Sequence, residues 1–133
     1  MTLKKHVVDD YFTASPYTVQ ADDDVQRAQE LMSQHGIRHL PVMDHGELGG
    51  VLSDRDIKAA LALKGASTKR LRCADIASEG AYVTHPGSAL ELVAREMAEK
   101  HYGSAVVTDK GEVVGIFTTT DACRALADVL TGG

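Results

Sequence analysis

Two short segments of the sequence place a hydroxyl and a carboxylate at the same spacing, Ser53-x-x-Asp56 and Thr118-x-x-Asp121. Each follows an apolar run typical of a strand and opens a run typical of a helix. Free N–H groups and the helix dipole at such a junction favour a phosphate, while the carboxylate one turn on can accept bonds from sugar hydroxyls. The same residues also make ordinary helix caps, and their chemistry alone leaves both interpretations open.

The two segments differ at one position that matters for anion binding. Arg55 lies within the first segment, and Thr120 stands at the matching place in the second. An arginine can form charge-assisted, bidentate bonds to a phosphate, which a threonine cannot. We therefore predict that the segment with Ser53, Arg55 and Asp56 is the better phosphate site. The second segment is expected to take a less charged ligand or none.

Both segments belong to an internal repeat. Shifting the sequence by 65 residues aligns residues 17–62 with 82–127 without a gap, and 11 of the 46 positions are identical. Chance identity of roughly 6% per position would give about three matches. The match indicates duplication. Because a unit of about 50 residues buries little surface alone, the copies are expected to share a core, with ligand grooves between them.

The pattern of apolar and turn residues predicts the same element order, β-α-β-β-α, in each copy. The predicted fold class is therefore α/β, of the mixed α+β kind, with repeat 1 at 9–66, a linker at 67–74 and repeat 2 at 75–131. Asp22, Asp23 and Asp24, or Ser88, are expected to start the first helix of each copy. Gly36 is expected to end it in the first copy, with Gly103 near its end in the second. The predicted strands are 17–19, 39–43 and 48–52 in copy one and 82–84, 104–108 and 113–117 in copy two, and the last helices run from Asp54 to Leu63 and from Thr119 to Leu130.

Composition limits the functions that the chain can have. The formal net charge is -5 and the isoelectric point is near 5.6, so the surface repels a nucleic-acid backbone. No N-terminal apolar stretch is long enough for a signal peptide or a membrane helix. Cys73 and Cys123 show no CxxC spacing, which favours free thiols and a cytoplasmic location. The six histidines lack a zinc-binding pattern, and no nucleophile motif is present, so neither a metal site nor a catalytic site is predicted.

The residues around the two segments resemble the CBS family. The first copy carries His35-Gly36-Ile37-Arg38-His39-Leu40-Pro41-Val42 and then Gly50-Val51-Leu52-Ser53-Asp54-Arg55-Asp56-Ile57; the second carries Tyr102-Gly103-Ser104-Ala105-Val106-Val107 and then Gly115-Ile116-Phe117-Thr118-Thr119-Thr120-Asp121. The resemblance covers nearly all of residues 10–130. It implies a disc-shaped pair, two repeats packed sheet to sheet around a pseudo-two-fold axis.

The resemblance also implies a function. CBS pairs commonly bind adenosine ligands (AMP, ADP, ATP or S-adenosylmethionine) in clefts between the repeats, form homodimers and regulate an attached or separate target protein. No required cofactor and no enzyme activity are implied here. The residues expected to contact the nucleotide are Thr18, Val19, Ile37, Arg38, His39, Leu40, Pro41, Ser53, Arg55 and Asp56 in copy one, and Val83, Thr84, Tyr102, Ser104, Ala105, Val106, Thr118 and Asp121 in copy two. Many of them could equally build the core.

The second copy departs from the family pattern. Val106 stands where the pattern favours proline, and Glu79-Gly80-Ala81 replaces the polar-Pro element supplied by Ser15-Pro16. Gly49, in the first copy, replaces an apolar residue, which is expected either to loosen its strand or to allow close approach of another backbone. These changes weaken the case for a ligand in the second cleft. They keep open an alternative function, an interaction module that retains the fold without a ligand.

Overall fold

The computed structural model describes residues 6–14, 17–64, 71–78 and 81–132. A single 3-10 turn at Val8–Asp10 precedes the regular elements. These are β1 (Thr13–Ala14), β2 (Val19–Gln20), α1 (Val25–His35), β3 (His39–Asp44), β4 (Glu47–Ser53), α2 (Asp54–Lys64), α3 (Cys73–Ile76), β5 (Val83–Thr84), α4 (Leu90–Lys100), β6 (Ser104–Asp109), β7 (Glu112–Thr118) and α5 (Thr119–Leu130). The predicted α+β class and the β-α-β-β-α order of each repeat are confirmed. Within the described ranges, no helix has the length and apolar character needed to cross a bilayer.

The chain divides into two units, which are described separately. The first-repeat unit is Tyr17–Ala81, and the second-repeat unit is Tyr82–Gly133 together with Met1–Pro16. Each has its own sheet and its own cluster of buried apolar residues.

The first-repeat unit is built on the sheet β2-β3-β4. β2 pairs with β3 in parallel, with Val19 opposite Val42, and β3 and β4 form an antiparallel hairpin. The turn of that hairpin has positive φ at Gly46, which glycine adopts readily, and also at His45. Asp24 caps α1 by accepting a bond from the Arg27 N–H at 2.9 Å. Gly36 ends α1 in the left-handed conformation, so both predicted helix ends are confirmed.

The second-repeat unit repeats this arrangement as β1-β7-β6-β5, with positive φ at Lys110 and Gly111 in its hairpin turn. One predicted helix end is wrong here. The Ser88 hydroxyl accepts a bond from the His85 N–H at 3.1 Å instead of capping α4, which begins after Ala89 without a side-chain cap. His101, at φ 60°, ends α4 two residues before Gly103. The φ value is one that non-glycine residues adopt only occasionally.

Each unit also includes a segment that lies before the other repeat in the sequence. The segment 6–14 bonds to the second-repeat unit, with Val8 N–H donating to the Ser88 carbonyl at 3.0 Å, and β1 pairs with β7. The segment 71–78 bonds to the first-repeat unit, where Val25 N–H donates to the Leu71 carbonyl at 2.9 Å. The sequence-based boundaries instead place residues 9–14 in repeat 1, residues 71–74 in the linker and residues 75–78 in repeat 2. The predicted linker residues 67–70, the Ser15-Pro16 element and Glu79-Gly80 lie outside the described residues.

Candidate functional site

Ser53 lies where β4 ends and α2 begins, in the first-repeat unit. Its Oγ accepts a bond from the Asp56 N–H at 3.0 Å, so Ser53 does cap the helix. The hydroxyl hydrogen has no acceptor among the residues that the structure describes. A serine hydroxyl can accept and donate at once. Capping α2 therefore leaves Ser53 able to donate a further bond.

Arg55 and Asp56 lie in the first turn of α2, on the C-terminal side of Ser53. Arg55 is exposed, and Asp56 is half-buried. Across the described ranges neither side chain forms a hydrogen bond or an ion pair, whereas the neighbouring Asp54 pairs with Lys58 at 3.0 Å. A guanidinium and a carboxylate with free bonding capacity thus lie on adjacent residues at a helix N-terminus. This arrangement suits a ligand that carries both an anionic group and hydroxyls.

His39 is the titratable neighbour of these residues. It begins β3 and pairs with Ser53 across the hairpin. Burial lowers the pKa of His39 below its ordinary 6.5, the negative charge of Asp56 opposes that shift, and the positive charge of Arg38 adds to it. The imidazole is therefore neutral at pH 7 and offers one donor and one acceptor.

The matching residues in the second-repeat unit are bonded to each other. Thr118 and Asp121 form a capping box, in which the Thr118 N–H donates to Asp121 Oδ2 at 2.9 Å and the Asp121 N–H donates to Thr118 Oγ1 at 3.4 Å. The Thr118 hydroxyl also donates to Oδ2 at 3.3 Å. Arg124 donates to Oδ1 at 3.1 Å, and Asp121 is only 2% exposed. Both groups predicted to bind a ligand here are thus already engaged within α5 and its cap.

The residues expected to recognise adenine fall into two groups by exposure. Most are buried, so only their backbone could meet a ligand; these are Val19, Leu40, Pro41, Thr84, Ser104, Ala105 and Val106. The others have accessible side chains, half-buried at Thr18, Ile37 and His39 and exposed at Arg38, Val83 and Tyr102.

Two pairs of stacked aromatic rings near these strands were not predicted from the sequence. The rings of Tyr17 and His35 stack with centroids 3.7 Å apart, and those of Tyr82 and Tyr102 stack at 5.3 Å. The signal was present, because Tyr17 and Tyr82 occupy matching, identical positions of the repeat. Within the described part of the chain, His, Cys, Asp and Glu side chains form no group of three suited to a metal ion.

Comparison with known proteins agrees with the repeat structure. The family model "CBS domain" matches twice, at residues 8–63 and 73–128. The chain is 29% identical over 114 residues to the CBS domain-containing protein YhcV of Bacillus subtilis, covering 86% of this chain and 81% of that protein. It is 30% identical over 120 residues to the L-aspartate semialdehyde sulfurtransferase of Methanocaldococcus jannaschii, but spans only 23% of that enzyme.

Solved structures are similar along most of the chain. The CBS domain pair of protein MJ0100, in complex with 5′-methylthioadenosine and S-adenosyl-L-methionine, superimposes with a TM-score of 0.84 at 27% identity, over 93% of this chain and 98% of that one. CBSX2 in complex with AMP gives a TM-score of 0.76 at 26% identity, with 93% and 98% covered. A protein with this repeat, these two sheets and two family matches is a tandem CBS pair. The chain therefore belongs to the CBS-domain family, as its motifs predict.

Proposed function

We propose that this chain is a regulatory module that binds an adenine nucleotide or a related adenosine ligand, and that Ser53, Arg55 and Asp56 of the first repeat are its main contacts. The observation that carries the proposal is the difference between the two repeats. In the first, the hydroxyl hydrogen, the guanidinium and the carboxylate are available, whereas in the second the hydroxyl and carboxylate bond to each other and to Arg124.

Each of these groups has a role that its chemistry supports. The Ser53 hydroxyl and the N-terminus of α2 bind the phosphate, and Arg55 neutralises its charge. The Asp56 carboxylate accepts bonds from the ribose hydroxyls. Thr18, Ile37 and His39 supply accessible side chains for the base. Related CBS pairs in complex with AMP or with S-adenosyl-L-methionine and 5′-methylthioadenosine support the adenosine class of ligand.

Titration calorimetry with AMP, ADP, ATP and S-adenosylmethionine tests the proposal. The Arg55→Ala variant should bind AMP roughly ten-fold more weakly, because it loses a charge-assisted bond to phosphate. Arg27→Ala is the matched control, since it removes another exposed arginine from the same unit. Equal affinity of Arg55→Ala and the wild type would contradict the assignment. If the wild type binds none of the four ligands, the alternative function, an interaction module without a ligand, is supported instead.

The exposed apolar side chains of the last helix of each repeat support a homodimer as the form that responds to the ligand. Leu63 on α2 is 86% exposed, and on α5 Leu126, Val129 and Leu130 are 57%, 52% and 76% exposed. Covering such side chains in an assembly is favourable. A separate target protein and a cytoplasmic location, in keeping with the free thiols of Cys73 and Cys123, complete the proposal. Sedimentation of the wild type and of Leu130→Asp measures the assembly, and a monomeric wild type would exclude the homodimer.

A further inference from the structure

We propose that Arg124 is the residue that prevents the second repeat from binding an adenosine ligand, by holding Asp121 in a closed arrangement. This inference rests on the proposed function of the first repeat. It concerns a residue outside the Ser/Thr-x-x-Asp segments, and it specifies which of the two aligned sites can accept ligand.

The carboxylates of Asp56 and Asp121 occupy identical positions of the repeat but have different surroundings. Asp56 is half-buried and accepts no bond from any described residue, whereas Asp121 is 2% exposed. One oxygen of Asp121 receives the bonds of the Thr118 cap, and the other receives the Arg124 guanidinium. A sugar hydroxyl that approached Asp121 would therefore have to displace Arg124.

The first repeat has no arginine at the position that aligns with Arg124. Ala59 stands 65 positions before Arg124, one turn beyond Asp56, and cannot reach or cover the carboxylate. The serine that caps α2 accepts from the Asp56 N–H, but the return bond from the Ser53 N–H to the carboxylate, present at Thr118, is not formed in the first repeat. Asp121 thus has both a complete capping box and a bond from an arginine, whereas Asp56 has neither.

Breaking the ion pair between Arg124 and Asp121 costs free energy. The Arg124 side chain is 60% exposed while its partner carboxylate is buried, so solvent weakens the ion pair only in part. Arginine fits a carboxylate through fixed, directional N–H groups, and a ligand hydroxyl is a weaker donor than a guanidinium. Removing Arg124 should therefore expose Asp121 without disturbing the α5 cap, whose bonds come from Thr118.

The test is the stoichiometry of AMP binding by calorimetry. The wild type should bind one equivalent, and Arg124→Ala should bind two. Arg95→Ala is the matched control, because the Arg95 side chain is as exposed as that of Arg124, at 60%, and forms a helical ion pair at 2.9 Å in the same unit, with the exposed carboxylate of Glu91. This control should keep one equivalent. Binding of a single equivalent by Arg124→Ala, or of two by the wild type, would overturn the inference.

The converse substitution in the first repeat tests the same idea independently of how well Arg124→Ala folds. Ala59→Arg places a guanidinium one turn beyond Asp56, on the exposed side of α2. It should weaken AMP binding by roughly ten-fold, as expected when a charged hydrogen bond must be displaced. Unchanged affinity would count against Arg124 as the blocking residue. If the wild type binds no AMP, the proposed function fails, while a gain of binding by Arg124→Ala would still support this inference.

Discussion

At the scale of single residues, the two cysteines have opposite environments. Cys73 is fully buried in the first-repeat unit, where its Sγ lies 3.7 Å from the Asp24 carbonyl, and Cys123 is exposed on α5. Burial, followed by the charges of Asp23 and Asp24, raises the pKa of the Cys73 thiol to about 12. Since the thiolate is the reactive form, Cys73 is protected by both its position and its protonation.

The expected outcome is one fast and one slow thiol. Iodoacetamide at pH 8 should modify Cys123 at the rate of a thiol in an unfolded peptide. It should modify Cys73 only as fast as the first-repeat unit opens. Peptide mapping by mass spectrometry distinguishes the two positions, and Cys123→Ser should remove the fast phase. Rapid modification of Cys73 in the folded protein would show that its burial is wrong.

His39 makes stability depend on pH. Its folded pKa is below the unfolded value of 6.5 because burial disfavours the charged imidazole. Between these two pKa values the unfolded state binds more protons, so the free energy of unfolding rises with pH. The contribution of neutral His39 is therefore complete above pH 6.5 and is lost as the pH falls from 6.5 through the folded pKa.

Urea titrations between pH 7.5 and pH 5 measure this effect. His39→Gln should flatten the acid side of the stability profile of the protein. His45→Gln is the control, because it removes another histidine of the same unit, one whose side chain is 97% exposed. An unchanged profile in His39→Gln would show that His39 is not the group responsible.

Residue types predicted the candidate site only in part. The spacing made the hydroxyl, carboxylate and guanidinium of Ser53, Asp56 and Arg55 candidates and predicted that the two repeats differ, but it left the helix-cap interpretation open. The bond between Arg124 and Asp121 could not be predicted, because an arginine three residues after an aspartate is common on helix surfaces. Only the side-chain geometry shows this bond.

At the scale of elements, the packing around Gly50 and Gly115 explains why β4 and β7 both have a glycine at this position of the repeat. A Cβ on Gly50 would meet the backbone carbonyl of Ser78, and a Cβ on Gly115 would meet the Phe12 ring and the Thr13 carbonyl. The two crossing segments, residues 71–78 and 6–14, therefore pass directly over Gly50 and Gly115 respectively. Neither crossing segment was predicted as an element, because pieces of two to four residues carry no periodic pattern.

Gly50→Ala should destabilise the protein by about 1–3 kcal/mol, as overpacking against a backbone typically does. Gly49→Ala is the neighbouring control. Its Cβ would lie 3.3 Å from the Asp44 Cβ and 3.5 Å from the Val42 carbonyl, close but not overlapping, and its change should stay within about 1 kcal/mol. Denaturant unfolding measures both, and equal stability of the two variants would contradict the crossing at Gly50.

The longer elements were predicted well from sequence, since four helices of 11 or 12 residues and two hairpins have clear periodicity and turn residues. The errors lie at helix ends. Ser88 has the right type for a cap but bonds to His85, and His101 adopts a left-handed conformation usually given to glycine. Such choices depend on the local backbone geometry, which residue type does not determine.

At the scale of the whole molecule, each repeat is completed by a segment that precedes the other one in the sequence. Val8 and Cys73, 65 positions apart, are both fully buried, Val8 in the second-repeat unit and Cys73 in the first. The gap-free alignment of the repeats does not reveal this exchange, because it compares positions along the chain without showing which core they join. The stability of the second-repeat unit should therefore depend on Val8, which lies far from the rest of that unit in sequence, and the stability of the first-repeat unit on Cys73.

Two small substitutions test the exchange. Val8→Ala should cost about 2 kcal/mol through lost burial and should speed amide hydrogen exchange in β6 and β7, while β3 and β4 keep their protection. Cys73→Ala should have the converse pattern, with faster exchange in β3 and β4. Hydrogen exchange followed by mass spectrometry resolves these strands as separate peptides, so each variant serves as the control for the other. If Val8→Ala instead loosened β3 and β4, its neighbours in chain order, the 6–14 segment would belong to the first repeat and the exchanged architecture would be wrong.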